Sequence, residues 1–86
     1  MFLHIENIEM LTAQYTVKIR FNNGTEYTLN LSNHLEGDIF NPLKDDAYFK
    51  KGYLNTLTGT IEWENGADFA PEFLFEIAIK KAHAAA

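Results

Sequence analysis

Tyr15, Val17, Ile19 and Phe21 alternate with Thr16, Lys18 and Arg20. Beyond Asn22-Asn23-Gly24 the alternation resumes, with Tyr27, Leu29 and Leu31 set against Glu26, Thr28 and Asn30. Side chains on a strand point to opposite faces in turn, so this pattern reads as a β-hairpin with one apolar and one wet face. Parity also chooses the loop. A two-residue Asn23-Gly24 loop would set Phe21 opposite Glu26, apolar against charged. A three-residue loop over Asn22–Gly24 instead pairs Ile19 with Tyr27, Val17 with Leu29 and Tyr15 with Leu31. That loop predicts a type I turn with Gly24 in the left-handed position. It also sets Arg20 opposite Glu26 on the wet face, where an exposed ion pair contributes under about 1 kcal/mol.

The same reasoning extends in both directions. Residues 3–11 form a first strand, but Leu3 and Ile5 share one parity and Ile8 and Met10 the other. Either a bulge near Asn7 reconciles them or the strand is buried on both faces. After the hairpin, Ser32 to Glu36 starts a turn or helix that Gly37 breaks. Phe40 is a core anchor, and Pro42 and Leu43 suggest one helical turn. Asp45 is an N-cap for a short helix from Asp46 to Lys51, acidic at its start and basic at its end, with Gly52 as its C-cap. Phe49, with Tyr48 or Leu43, would seal one end of the sheet. A second hairpin joins Tyr53–Leu57 to Thr60–Trp63, and a two-residue Thr58-Gly59 turn would pair Leu54 with Trp63 and Thr56 with Ile61.

Residues 71–80 read as strand at period two or as helix at period 3.6. Pro71 suits the first helical position, Glu76 and Lys80 form a favourable i,i+4 pair, and the alanine-rich end favours helix, so helix is preferred. Phe73, Leu74, Ile77 and Ala78 then face the core. Phe75 and Ile79 lie to one side and leave a narrow polar stripe, as on a helix that is deeply embedded or covered by a second chain. The fold class is α+β: an antiparallel sheet of about five strands with short helices and a C-terminal helix packed on it. Residues 1–80 make a single domain, and 81–86 are a tail or helix end.

The chain of 86 residues is 47% hydrophobic and contains no cysteine, which provides a core but no disulfide, thiolate metal site or cysteine nucleophile. The net charge of −5 disfavours direct nucleic-acid contact and makes a basic protein partner easier to accommodate. The start Met1-Phe2-Leu3-His4-Ile5-Glu6 lacks the basic and apolar runs of a signal peptide, and no stretch is long enough to span a membrane, so a cytoplasmic location is expected.

Individual residues point more to structure than to chemistry. Trp63 could be a ligand platform, but a lone tryptophan at a strand end is more often a core plug whose ring N–H finds a carbonyl. Asp68 could be catalytic, but is expected to accept backbone N–H bonds at the turn and helix start. His4, His34 and His83 show no metal-binding spacing. Gly24, Gly59, Gly66 and Pro71 are turn and helix-start residues, and neither Asn-Gly pair is a phosphate loop. No catalytic, cofactor-binding or metal-binding residue is expected. Glu62, Glu64, Asp68, Glu72 and Glu76 form an acidic run, either a solvated face or a docking surface on which Glu72 and Glu76 flank the apolar anchors Phe75 and Ile79.

Phe21-Asn22-Asn23-Gly24, Phe40-Asn41-Pro42-Leu43 with Phe49, and Ile61-Glu62-Trp63-Glu64-Asn65-Gly66-Ala67-Asp68 followed by Pro71-Glu72 and Leu74 carry a resemblance. Over about residues 4 to 78 the chain resembles domain-of-unknown-function family 2442, with Glu64 standing where the family pattern has proline. The resemblance implies a small prokaryotic α+β domain without assigned catalytic residues. Such domains occur alone or ahead of a DNA-binding helix-turn-helix, and often beside another small encoded protein, which suggests toxin–antitoxin pairs. The expected function is a non-enzymatic interaction module, antitoxin-like or regulatory, bound to a protein partner or paired as a homodimer. Alternatives are an accessory domain of DNA-linked regulation without direct DNA contact, and a small-ligand binder or enzyme around Trp63 and Asp68.

Overall fold

Glu6 has no partner across the first strand pair. In the computed structural model, which describes residues 2–84, β1 (Ile5–Met10) runs antiparallel to β2 (Thr16–Phe21), and the register shifts between Ile5, opposite Phe21, and Asn7, opposite Arg20. This bulge resolves the parity conflict: Ile8 then meets Ile19 and Met10 meets Val17, so the apolar residues of both parities share one face. β3 (Glu26–Asn30) completes a three-stranded sheet in the order β1-β2-β3. The three-residue loop is observed. Ile19 faces Tyr27 and Val17 faces Leu29, while Leu31 N donates to Tyr15 O at 2.8 Å. Gly24, at φ 86°, donates to Phe21 O at 3.0 Å. Arg20 does stand opposite Glu26, but the ion pair of Glu26 runs diagonally to Lys18 at 3.8 Å, and Lys18 also reaches Glu9 at 3.9 Å.

Short 3-10 segments at Ser32–His34 and Asp38–Lys44 lead into α1 (Asp46–Phe49). Asp45 caps α1 by accepting from Ala47 N. One clamp ties α1 to the start of β2. Tyr15 sits at φ 56°, a left-handed conformation that costs a non-glycine residue about 1–3 kcal/mol. Its N–H donates to Asp46 Oδ1 at 3.0 Å, its hydroxyl donates to Lys44 O, and its ring meets Phe49 edge-on at 5.8 Å. Lys50 Nζ pairs with Asp46 and donates to Thr12 O at 3.0 Å.

The second hairpin departs from its expected register. In β4 (Tyr53–Asn55) and β5 (Thr60–Glu62), Leu54 faces Ile61 and Asn55 faces Thr60, so the loop has four residues, Thr56–Gly59, rather than two. Thr56 therefore lies in the loop instead of pairing with Ile61, and Leu54 does not pair with Trp63. The Asn55 carboxamide oxygen accepts from Leu57 N at 2.9 Å, and Gly59 N closes on Asn55 O at 2.8 Å. This side-chain-to-backbone turn outcompetes the tight one. Gly59 keeps a positive φ of 75°, and its carbonyl accepts from Ile5 N at 2.8 Å, docking the hairpin against β1.

α2 (Pro71–Ala84) confirms helix over strand and carries helical structure into residues 81–84, in place of a tail. Leu74 and Ala78 are fully buried, together with Val17, Ile19, Phe21, Phe49, Ile61 and Trp63. Lys50, not Gly52, is the C-cap of α1, and Gly52 has no left-handed φ. Its requirement is space: a Cβ there would lie 2.8 Å from the Trp63 ring and 2.7 Å from Met10.

Two outcomes test this account. Gly52→Ala displaces Trp63 and should cost about 1–3 kcal/mol in urea unfolding. Lys50, then the Tyr15 N–H, hold the Asp46 carboxyl below the usual carboxylate range. A lowered folded pKa means this stabilisation is complete above about pH 4 and is lost as pH falls through the folded value. The stability gap between the natural chain and Asp46→Asn should be largest near neutrality and should close in acid. A gap that does not vary with pH would refute the Asp46 account.

Candidate functional site

Trp63 follows β5 and opens a turn that repeats the first hairpin's chemistry. Trp63 N donates to Ala67 O at 2.9 Å and Gly66 N to Trp63 O at 2.9 Å, as Phe21 N donates to Thr25 O and Gly24 N to Phe21 O. Asn65 Oδ1 accepts from Ala67 N at 3.1 Å, as Asn23 Oδ1 accepts from Thr25 N at 3.1 Å. Both turns have an aromatic residue at the start and a left-handed glycine at the end, Gly66 at φ 92°. The Trp63 ring is 1% exposed, and its N–H donates to Phe49 O at 2.8 Å, so it plugs the core.

Asp68 does not cap the turn or the helix. Its backbone bridges Glu62, its side chain is exposed, and among the described residues no hydrogen bond ends on its carboxylate. Ala70 occupies the helix-start position, accepting from Leu74 N at 3.1 Å. Trp63 and Asp68 thus face opposite environments. Among the described residues no three His, Cys, Asp or Glu side chains are placed to hold a metal ion. His34 lies edge-on to Phe73 at 5.4 Å. The side chain of His83 lies outside the described residues.

The expected anchors separate. Phe75 is half-buried and meets Phe21 at 5.2 Å and Tyr27 at 6.1 Å, both edge-on, so it belongs to the sheet–helix packing. Ile79 is also half-buried. The acidic run divides as well. Glu62 accepts from Asn55 Nδ2 at 2.6 Å and Thr58 Oγ1 at 3.0 Å, closing the hairpin, and Glu76 pairs with Lys80 at 3.0 Å.

A different surface forms around Phe69, a residue that sequence reasoning passed over. Phe69 stacks on Phe40 at 4.9 Å and on Phe73 at 5.9 Å with rings within 9° of parallel, while Trp63 meets it edge-on at 5.9 Å. Asn65 Nδ2 donates to Ile39 O at 2.8 Å and holds the Glu64–Gly66 turn beside the Asp38–Lys44 segment. Phe73 (38% exposed) is therefore carried on a ring stack rooted in the core, and Ile39 (48%) precedes Phe40 on the neighbouring segment. Asp38, Glu64 and Glu72 are exposed on the segments that carry this stack, one on each. The available signal was the aromatic residue between Asp68 and Pro71, with Trp63 and Phe73 nearby in the chain, but its partner Phe40 lies some thirty positions away and no local period announces it.

The family model described as "Protein of unknown function (DUF2442)" matches residues 5–80. The chain belongs to the DUF2442 family. No curated protein and no solved structure matches it. The match covers both aromatic–Asn–Gly turns, the ring stack and most of α2. No helix among the described residues is long and apolar enough to cross a membrane.

Trp63→Phe removes the donor to the buried Phe49 carbonyl. It should cost about 1–3 kcal/mol for the orphaned acceptor, with a further loss from the void. Chemical denaturation followed by circular dichroism measures it.

Proposed function

We propose that this DUF2442 domain is a non-enzymatic protein-interaction module, an antitoxin-like or regulatory subunit that binds a basic protein. The observation that carries the reading is the placement of Ile39 and Phe73 on segments that each bear an exposed carboxylate, Asp38 and Glu72, with Glu64 on the turn held against Ile39. Apolar anchors amid a polar, charged rim are the composition of a transient interface. The ring stack fixes the Phe73 anchor in advance, so binding immobilises few side chains. A net charge of −5 supports steering of a basic partner. The roles first given to Phe75 and Ile79 pass to Phe73 and Ile39, while Glu72 keeps its place and Glu76 is partly neutralised by Lys80. The alternative of chemistry around Trp63 and Asp68 loses support, because the ring is sealed in the core and the carboxylate is in solvent.

The test is co-expression with whichever small proteins are encoded next to this chain in its native host. Co-purification is expected, with affinity reduced about tenfold or more by Phe73→Asp or Ile39→Asp, the scale of losing a central anchor. The unfolding midpoint of Ile39→Asp should stay close to the natural chain's, which separates lost binding from lost folding. Elution as a lone monomer at every expression level would overturn the reading.

A further inference from the structure

The outer edge of β3 is an open strand edge. Antiparallel pairing alternates the direction of backbone groups. Phe21 N donates to Thr25 O and Leu31 N to Tyr15 O, so Tyr27 and Leu29 turn their backbone groups toward β2. Glu26, Thr28 and Asn30 turn theirs away from it. The described contact on that edge is from a side chain: Lys81 Nζ donates to Thr28 O at 2.9 Å. Lys18, Lys50 and Lys80 pair with carboxylates, but among the described residues no carboxylate oxygen lies within 4 Å of Lys81. Beside this edge a cleft of about 200 Å³ opens between β3 and α2, lined by Leu29, Asn30, His34, Ile77 and Lys81.

From these we propose that the β3 edge binds an extended peptide segment bearing an aspartate or glutamate, as an added antiparallel or parallel strand. The strand's backbone pairs with the outward groups of Glu26, Thr28 and Asn30. One of its side chains, on the same face as Leu29, enters the cleft over Leu29 and Ile77. Its carboxylate takes the Lys81 ammonium from the neutral Thr28 carbonyl, which the added strand then satisfies. Exchanging a carbonyl for a carboxylate turns a hydrogen bond from an ion to a neutral acceptor into one between opposite charges. Main-chain pairing with side-chain pockets is a recurring mode of peptide recognition. In the free chain Lys81 covers the edge and blunts self-pairing. Charge complementarity selects the occupant: the Lys81 ammonium at the cleft lacks a carboxylate among the described residues, which fits an acidic segment. This proposal does not rest on the Ile39–Phe73 surface.

The test titrates the full chain with capped eight-residue peptides of alternating threonine and valine, with one leucine and either one glutamate or one lysine. Backbone amide NMR shifts are the readout. Shifts should centre on Glu26, Thr28 and Asn30, and the glutamate peptide should bind about threefold to fivefold tighter, the range of an exposed ion pair. Lys81→Gln should abolish that preference, while Ile39→Asp, on a segment that does not line the cleft, should leave it unchanged. No shift at millimolar peptide, equal affinity for both peptides, or a charge preference that survives Lys81→Gln would overturn the proposal. So would concentration-dependent dimers of Lys81→Gln in sedimentation without peptide binding to the natural chain, because Lys81 would then be only a guard against self-pairing.

Discussion

The bond from the Trp63 ring to the Phe49 carbonyl holds the domain's two halves to one geometry. A tryptophan at the end of a short hairpin could rotate outward at the cost of its apolar surface alone. Tying its N–H to the last residue of α1 makes departure cost a buried carbonyl as well. Phe49 in turn meets Tyr15, and Tyr15 is anchored on Asp46. Sheet, short helix and second hairpin thus share one chain of contacts. Gly52 shows how tightly it closes, since even a methyl group would collide with the indole.

The surface around Phe73 is an extension of that core. Trp63 supports Phe69, Phe69 supports Phe73 and Phe40, and the outermost members meet solvent. An exposed aromatic residue with such a foundation differs from an isolated one. Leu57 (96% exposed) on its loop tip and Phe2 (92%) near the chain start have more exposure than Phe73 but no comparable ring support. Rigidity as well as exposure distinguishes a recognition feature from a loose side chain.

The legible parts of the fold were those governed by local alternation. The first hairpin's register followed from which residues must share a face, and the bulge in β1 from the failure of that rule near Asn7. Parity was also right for the second hairpin, since Leu54 and Ile61 do share a face, but parity cannot distinguish a two-residue from a four-residue loop. The Asn55 side chain made that choice, through bonds that are not periodic. Gly52 resembled a left-handed cap because its neighbour in space, Trp63, is remote in sequence. Asp68 was placed by analogy with common caps, whereas the helix begins after Ala70 without one. The ring stack was least legible, because Phe40 reaches Phe69 and Phe73 only through the tertiary fold.

The paired turns have a chemical consequence. Asparagine followed by glycine is the sequence most prone to spontaneous deamidation, in which the glycine nitrogen attacks the asparagine carboxamide to form a succinimide. Here the nitrogens of Gly24 and Gly66 are each held on the carbonyl of the turn's leading aromatic residue, and the carboxamide oxygens of Asn23 and Asn65 are engaged by backbone donors two residues on. The folded turns engage both reacting groups in other hydrogen bonds at both sites, and unfolding releases them. Isoaspartate accumulating at Asn65 would therefore act as a slow clock of the time a molecule has spent unfolded.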